Sequence, residues 1–128
     1  MLNWLKIQNY LLLDHLEIQF PDGFISITGE TGAGKSVLIG AISLLTGKRA
    51  DTSVLLDKTR KSVVEAGFDI TKLKLHAFFK AHDLDYDAEC ILRREITGQG
   101  KSRAFVNDTP VRLEQLQALS EYLVDIHS

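Results

Sequence analysis

An α/β fold is what this sequence predicts, and three observations predict it. The apolar segment Phe24-Ile25-Ser26-Ile27-Thr28 reads as a largely buried strand. It runs directly into Gly29-Glu30-Thr31-Gly32-Ala33-Gly34-Lys35-Ser36, a glycine-rich loop. Beyond the loop, Val37, Leu38, Ala41, Ile42 and Leu45 recur at helical spacing, and Gly47 follows as a C-cap. Strand, loop and helix in that order are the context required by the phosphate-binding P-loop, G-x-x-x-x-G-K-[ST]. A glycine-rich turn that precedes a helix by chance would not bring all three.

Two strands precede the loop strand. Leu2 to Gln8 alternates Leu2, Trp4 or Leu5, and Ile7 with polar Asn3, Lys6 and Gln8, and Asn9-Tyr10 is read as its break. Leu11 to Leu13 makes a short apolar connector. His15 to Phe20 alternates again, with Leu16, Ile18 and Phe20 on one face. Pro21-Asp22-Gly23 is a turn signal, so this strand is expected to form a hairpin with the P-loop strand.

Past Gly47, a polar loop runs over Lys48–Ser53, and the cationic run Lys58-Thr59-Arg60-Lys61 reads as a solvated face rather than a DNA contact. Ser62 to Ile70 is a strand through Ala66 and Phe68. Lys72 to His82 is an amphipathic helix, with Leu73, Ala77, Phe78 and Ala81 on its stripe. Glu89–Thr97 and Ser102–Asn107 are strands joined by the hairpin loop Gly98–Lys101. Thr109-Pro110 opens a short segment, and Val111–Leu123 reads as a helix with Leu113, Leu116, Leu119 and Leu123 on one face. Leu123–Ile126 is a candidate final strand.

The spacing of the loop follows from its chemistry. Glycines let the backbone turn inward so that successive N–H groups converge on an anion at the positive end of a helix. Gly29, Glu30, Thr31, Gly32, Ala33, Gly34, Lys35, Ser36 and Val37 are therefore the candidate nucleotide-binding residues. Lys35 brings a point charge to the β- and γ-phosphates and is the candidate catalytic group. The Ser36 hydroxyl is placed to ligate Mg²⁺, so ATP and Mg²⁺ are the expected cofactors. Arg49, just after the helix, is a candidate to approach the nucleotide.

Composition narrows the rest. The 128 residues carry 45% hydrophobic and 25% charged side chains, the balance of a soluble globular chain. A net charge of −2 gives no nucleic-acid footprint over the whole surface. Cys90 is the single cysteine, so no internal disulfide forms and a reducing compartment fits. No apolar run reaches membrane length, and a cytoplasmic protein without a membrane partner is expected. His15, His76, His82 and His127 lack paired ligand spacing. Asp83, Asp85 and Asp87 lack the glycine and terminal Glu of a calcium loop and read as a solvated turn.

Several segments together carry a resemblance: Leu5–Tyr10, the Thr28–Ser36 loop, Gly47-Lys48-Arg49-Ala50-Asp51, Leu92-Arg93-Arg94-Glu95-Ile96, Gly100–Asn107 and Leu123-Val124-Asp125-Ile126-His127. Over essentially its whole length the chain resembles the amino-terminal head segment of the RecN family, bacterial DNA-repair proteins of the SMC-like ABC ATPase class. The resemblance implies an ABC/SMC-type half-head: a P-loop NTPase lobe spanning 1–128, with a mixed sheet and an antiparallel β subdomain. It implies a cytoplasmic, nucleoid-associated parent acting in double-strand break repair and recombination after DNA damage. It also implies partners: the parent's own carboxy-terminal half-head, a second head closing an ATP sandwich, and DNA through the full protein. By the same resemblance, Asn9 and Tyr10 lie where the end of the first strand approaches the base.

The chain departs from the full pattern. It shows no Ser-Gly-Gly signature, no apolar strand ending in Asp-Glu and no coiled-coil heptads. The carboxy-terminal half-head and the coiled coil are thus read as absent. Weak nucleotide binding without appreciable hydrolysis is the expectation for this chain alone, with the parent as the ATPase. Two readings compete. A small P-loop kinase would need lid arginines, for which Arg93, Arg94 and Arg103 are candidates, although ladder-flanking surface is the simpler account of them. A non-catalytic nucleotide-binding interaction module is the other. A GTPase is disfavoured, since no Asn-Lys-x-Asp motif occurs.

Overall fold

The computed structural model describes residues 1–24 and 33–124, with side chains described for 1–21 and 35–124. Strand β1 spans Leu2–Tyr10 and β2 spans Leu13–Phe24. Helix α1 spans Ala33–Leu45, followed by a short 3₁₀ turn at Thr52–Val54. Then come β3 (Ser62–Asp69), α2 (His76–Ala81), β4 (Glu89–Ile96), β5 (Ser102–Val106), β6 (Thr109–Val111) and α3 (Leu113–Leu123). The six strands form one sheet in the order β2-β1-β3-β4-β5-β6, and each described pairing is antiparallel. The strand expected at 24–28 lies outside the described residues beyond Phe24, as does the final strand expected at 123–126 beyond Val124.

The period-2 pattern sets the faces of the sheet. Leu5 and Ile7 on β1 are in phase with Val64, Ala66 and Phe68 on β3, with Cys90, Leu92 and Ile96 on β4, and with Ala104 and Val106 on β5. All are buried on the face covered by the helices. Helix α1 lies over β3 and β4 through Ala41, Ile42 and Leu45, and α3 lies over β5 through Leu116 and Leu119. Phe79 carries α2 into the same core. Burial pushes the Cys90 thiol up to about 12, so the group stays neutral and unreactive in the folded chain.

The opposite face is polar but organised. Arg93 pairs with Glu95 at 3.2 Å, Glu65 at 3.4 Å and Asp108 at 3.0 Å, and its guanidinium lies 4.2 Å from the centre of the Phe105 ring. Nearby, Trp4 lies over Gly67, where an added Cβ would collide with the indole Nε1. Gly67 is there to let the indole approach the sheet. Gly67→Ala is expected to lift Trp4 away and lower stability by about 1–3 kcal/mol. Trp4 is the sole tryptophan, so the same variant should shift fluorescence emission to the red. An unchanged emission maximum would contradict the contact.

Three elements differ from the sequence expectation. β1 continues through Asn9 and Tyr10, and the hairpin turns at Leu11-Leu12 instead. β2 continues through Pro21 to Phe24 rather than turning at 21–23. Its register slips there: Trp4 pairs with Gln19 but Leu2 pairs with Phe24, so the Pro-Asp-Gly sequence is taken up as an irregularity in the ladder. β2 is one of the two outer strands of the described sheet, where a residue without an N–H is tolerated. Helix α2 starts at His76, not Lys72. Asp69 Oδ1 captures the N–H of Thr71 at 3.0 Å, and Lys74 is left-handed at φ 53°, which no α-helix accommodates.

Candidate nucleotide-binding site

The expected phosphate loop divides at the edge of the described residues. Gly29, Glu30, Thr31 and Gly32 lie outside them. Ala33 and Gly34 begin the backbone of α1, and Lys35, Ser36 and Val37 occupy its first turns. Lys35 and Val37 are half-buried and Ser36 is exposed. The glycine-rich sequence therefore leads directly into a helix N-terminus, as an anion cradle requires.

Ser36 opens onto a cleft of about 660 Å³. One wall is the face of α1 that carries Ser36, Ile39, Gly40 and Ser43. The other is the segment after the helix, with Arg49, Asp51, Ser53 and Val54. Tyr10, from the end of β1, also lines it. Tyr10 is buried, and its hydroxyl lies so near α1 that a Cβ on Gly40 would meet it at 2.6 Å. Burial raises the Tyr10 phenol above its usual value, so it remains a neutral donor at physiological pH.

The segment wall is built by local capture. Asp51 caps the 3₁₀ turn, its Oδ1 accepting the N–H of Ser53 at 2.9 Å. The Ser53 hydroxyl and N–H together hold the Asp51 carboxyl below the usual carboxylate range. The N–H of Leu11 donates to Val54 O at 2.7 Å and ties the β1–β2 hairpin to this wall.

The structure gives Asn9 a different role from approaching the base. Its amide is buried and wholly engaged: Nδ2 donates to Asp57 O at 2.9 Å and Arg60 O at 2.8 Å, while Oδ1 accepts the N–H of Asp57 at 2.7 Å. Asn9 sits at φ 53°, a conformation asparagine tolerates better than most residues. It clamps the cationic loop 57–61 to the sheet, and its neighbour Tyr10 is the one that faces the cleft.

The far end of α1 is anchored heavily. Gly47, at φ 92°, supplies the left-handed C-cap expected of it. Its N–H donates to Leu44 O at 3.2 Å and that of Lys48 to Ser43 O at 3.3 Å, the paired bonds of a Schellman turn. From α3, Gln117 Nε2 donates to Gly47 O at 3.0 Å and Ser120 Oγ to Thr46 O at 3.3 Å. From β4, Arg94 donates Nη1 to Leu44 O and to Lys48 O, both at 2.8 Å. The negative pole of the helix is thus covered by donors and a cation, leaving its positive pole toward the glycine loop. Such a pole favours an anion at the N-terminal end of α1.

The arginines do not form a lid. Arg94 is buried, not ladder-flanking surface, and Arg93 is committed to three carboxylates. Only Arg103, on β5, opens onto a second surface cleft near the start of α3. Arg94 and Asn9 are the residues that sequence reasoning misassigned. The signal for Arg94 was present, because it falls in phase with Cys90, Leu92 and Ile96 on a strand whose other in-phase residues are apolar. The histidines with described contacts are surface or packing residues: exposed His15 lies 3.7 Å from Glu17, His76 stacks on Tyr86 at 3.8 Å, and His82 lies tilted against Phe78 at 4.2 Å. No helix among the described residues is long and apolar enough to cross a membrane.

Comparison with known proteins bears on the family and the fold. The AAA domain family matches residues 5–121. The chain is 40% identical over 128 residues to the DNA repair protein RecN of Vibrio cholerae, covering 99% of this chain and 23% of that protein. To the RecN of Xylella fastidiosa strain Temecula1 it is 41% identical over 129 residues, with the same coverage. The chain thus spans under a quarter of the length of these curated relatives. An SMC ATPase structure, from work on ATP-driven dimerization and DNA-stimulated activation, superimposes with a TM-score of 0.68 at 17% identity. It covers 94% of this chain and 78% of that one, a likeness of fold. The resemblance carried by the sequence motifs is borne out, and the chain belongs to the AAA domain family, where it is similar to RecN proteins over almost all of its length.

Proposed function

We propose that this chain binds ATP with Mg²⁺ at residues 29–36 and the adjoining cleft, as the amino-terminal part of an ATPase head in a DNA double-strand break repair protein. One observation carries the reading: the P-loop sequence enters α1 at Ala33, and Ser36 then opens onto a cleft shared with Tyr10 and Arg49. The backbone amides of the loop and the ammonium of Lys35 would hold the phosphates, and the Ser36 hydroxyl would hold the metal. Magnesium, when bound, supplies charge neutralisation on the phosphate oxygens. Tyr10 gives the cleft an aromatic wall for the base or ribose, and Arg49 a cation beside the phosphate chain.

The domain assignment follows the same reading. Residues 1–128 form the amino-terminal half-head, completed in the parent by a carboxy-terminal half-head and paired with a second head across ATP. The parent acts on DNA in the cytoplasm at the nucleoid. The groups that activate water come from outside this chain, since the sequence has no apolar strand ending in Asp-Glu. Titration of the 128-residue chain with a non-hydrolysable ATP analogue should therefore show saturable binding that weakens when Mg²⁺ is chelated. Phosphate release from ATP should stay at background. Turnover well above background would contradict the half-head reading, and phosphate transfer to nucleosides would support the kinase.

A further inference from the structure

Arg94 is the largest fully buried side chain described. A guanidinium in such a place ordinarily faces a carboxylate, because an unpaired buried charge is costly. Here its hydrogen-bond partners are two backbone carbonyls and one hydroxyl: Leu44 O, Lys48 O and, from Nη2, Ser102 Oγ at 2.7 Å. Its Nε is buried without an acceptor. Packing alone does not call for this residue, since a leucine or methionine would fill the same layer between Leu92 and Ile96.

The two carbonyls explain the choice. Leu44 O belongs to the last turn of α1, where helix carbonyls lack intrahelical partners and a cation is favoured. Lys48 O lies one residue before Arg49. A single nitrogen therefore bridges the end of the P-loop helix and the start of the segment that forms the opposite wall of the cleft. Gln117 and Ser120 hold the intervening turn at Gly47 and Thr46, but among the described side chains it is Arg94 that reaches residue 48.

We propose that Arg94 is a positioning residue for the nucleotide site: from β4 it fixes segment 48–54 against the C-terminal end of α1 and so sets where Arg49 stands in the cleft. The inference rests on the reading that this cleft takes the nucleotide. Its partner Ser102, at the start of β5, fixes the fork in turn, so that sheet, helix and segment meet at one guanidinium.

A double-mutant cycle on the 128-residue chain tests it, with Mg²⁺ and a non-hydrolysable ATP analogue titrated by calorimetry well below the thermal midpoint. Arg49→Ala is expected to weaken binding about fivefold or more, and Arg94→Lys by about three- to tenfold. The pair together should cost no more than Arg49→Ala alone, because Arg94 acts through Arg49. A purely structural role would lower the thermal midpoint and leave the two affinity losses multiplying independently, which overturns the proposal. So does unchanged affinity in Arg94→Lys. If Arg49→Ala itself leaves affinity unchanged, the cleft reading fails first. Should Arg94→Lys not fold, Ser102→Ala takes its place, expected to cost about twofold with Arg49 present and nothing without it. A twofold loss in both backgrounds, or no loss in either, overturns the proposal in the same way.

Discussion

Lys35→Ala is expected to lower the affinity of the chain for a magnesium–ATP analogue by about 10- to 100-fold. The figure follows from the loss of hydrogen bonds between an ammonium and phosphate oxygens, about 1.5–3 kcal/mol. Lys35 sits in the first turn of α1, at the positive pole of a helix whose other end is tied down by Arg94, Gln117 and Ser120. The charge is presented from a fixed base, so little affinity is lost to ordering the helix on binding. Calorimetric titration checks the prediction, with circular dichroism confirming that the variant folds. Unchanged affinity would favour the reading as a non-catalytic nucleotide-binding interaction module.

The second large effect is on stability. Asn9→Ala should destabilise the chain by about 2–4 kcal/mol, seen as a fall of about 10 °C in thermal midpoint. The substitution strips Asp57 O, Arg60 O and the N–H of Asp57 of their partner at a buried site. It also forces alanine into a left-handed backbone. Asn9→Gly separates the two causes, because glycine accepts φ 53° freely but carries no amide. If the clamp carries the stability, Asn9→Gly will cost nearly as much as Asn9→Ala. A midpoint for Asn9→Gly equal to that of the parent chain would show that loop 57–61 is held by something else.

The parts of this fold that could be read from the sequence are those where one local rule decides. The periodicity of Val37, Leu38, Ala41, Ile42 and Leu45 predicted α1, and Gly47 its cap, because helix spacing and a left-handed C-cap are both local requirements. Alternation predicted β3, β4 and β5 within a residue or two for the same reason. The failures come from interactions between segments distant in sequence. Pro21-Asp22-Gly23 carries every mark of a turn, yet pairing with β1 resumes beyond it, at Leu2 with Phe24. Lys72 to His82 has a helical stripe, but Asp69 and the left-handed Lys74 delay the helix to His76.

The site was legible in the same uneven way. The glycine loop, Lys35 and Ser36 announce themselves as a motif, and Tyr10 and Arg49 do line the cleft beside Ser36. Asn9 was grouped with Tyr10 by its neighbourhood, and only the loop at 57–61, some fifty residues on, shows what it binds. Arg94 looked like one more strand cation. Its partners at Leu44 and Lys48 come from the opposite side of the core, and no pattern within β4 names them.

The most direct test is a crystal structure of the chain grown with Mg²⁺ and a non-hydrolysable ATP analogue. The account predicts the phosphates seated on the backbone amides of residues 29–36, with Lys35 Nζ on the β- and γ-phosphates and Ser36 Oγ on the metal. Nucleotide bound elsewhere on the chain, or a loop packed shut by its own side chains at saturating analogue, would contradict it.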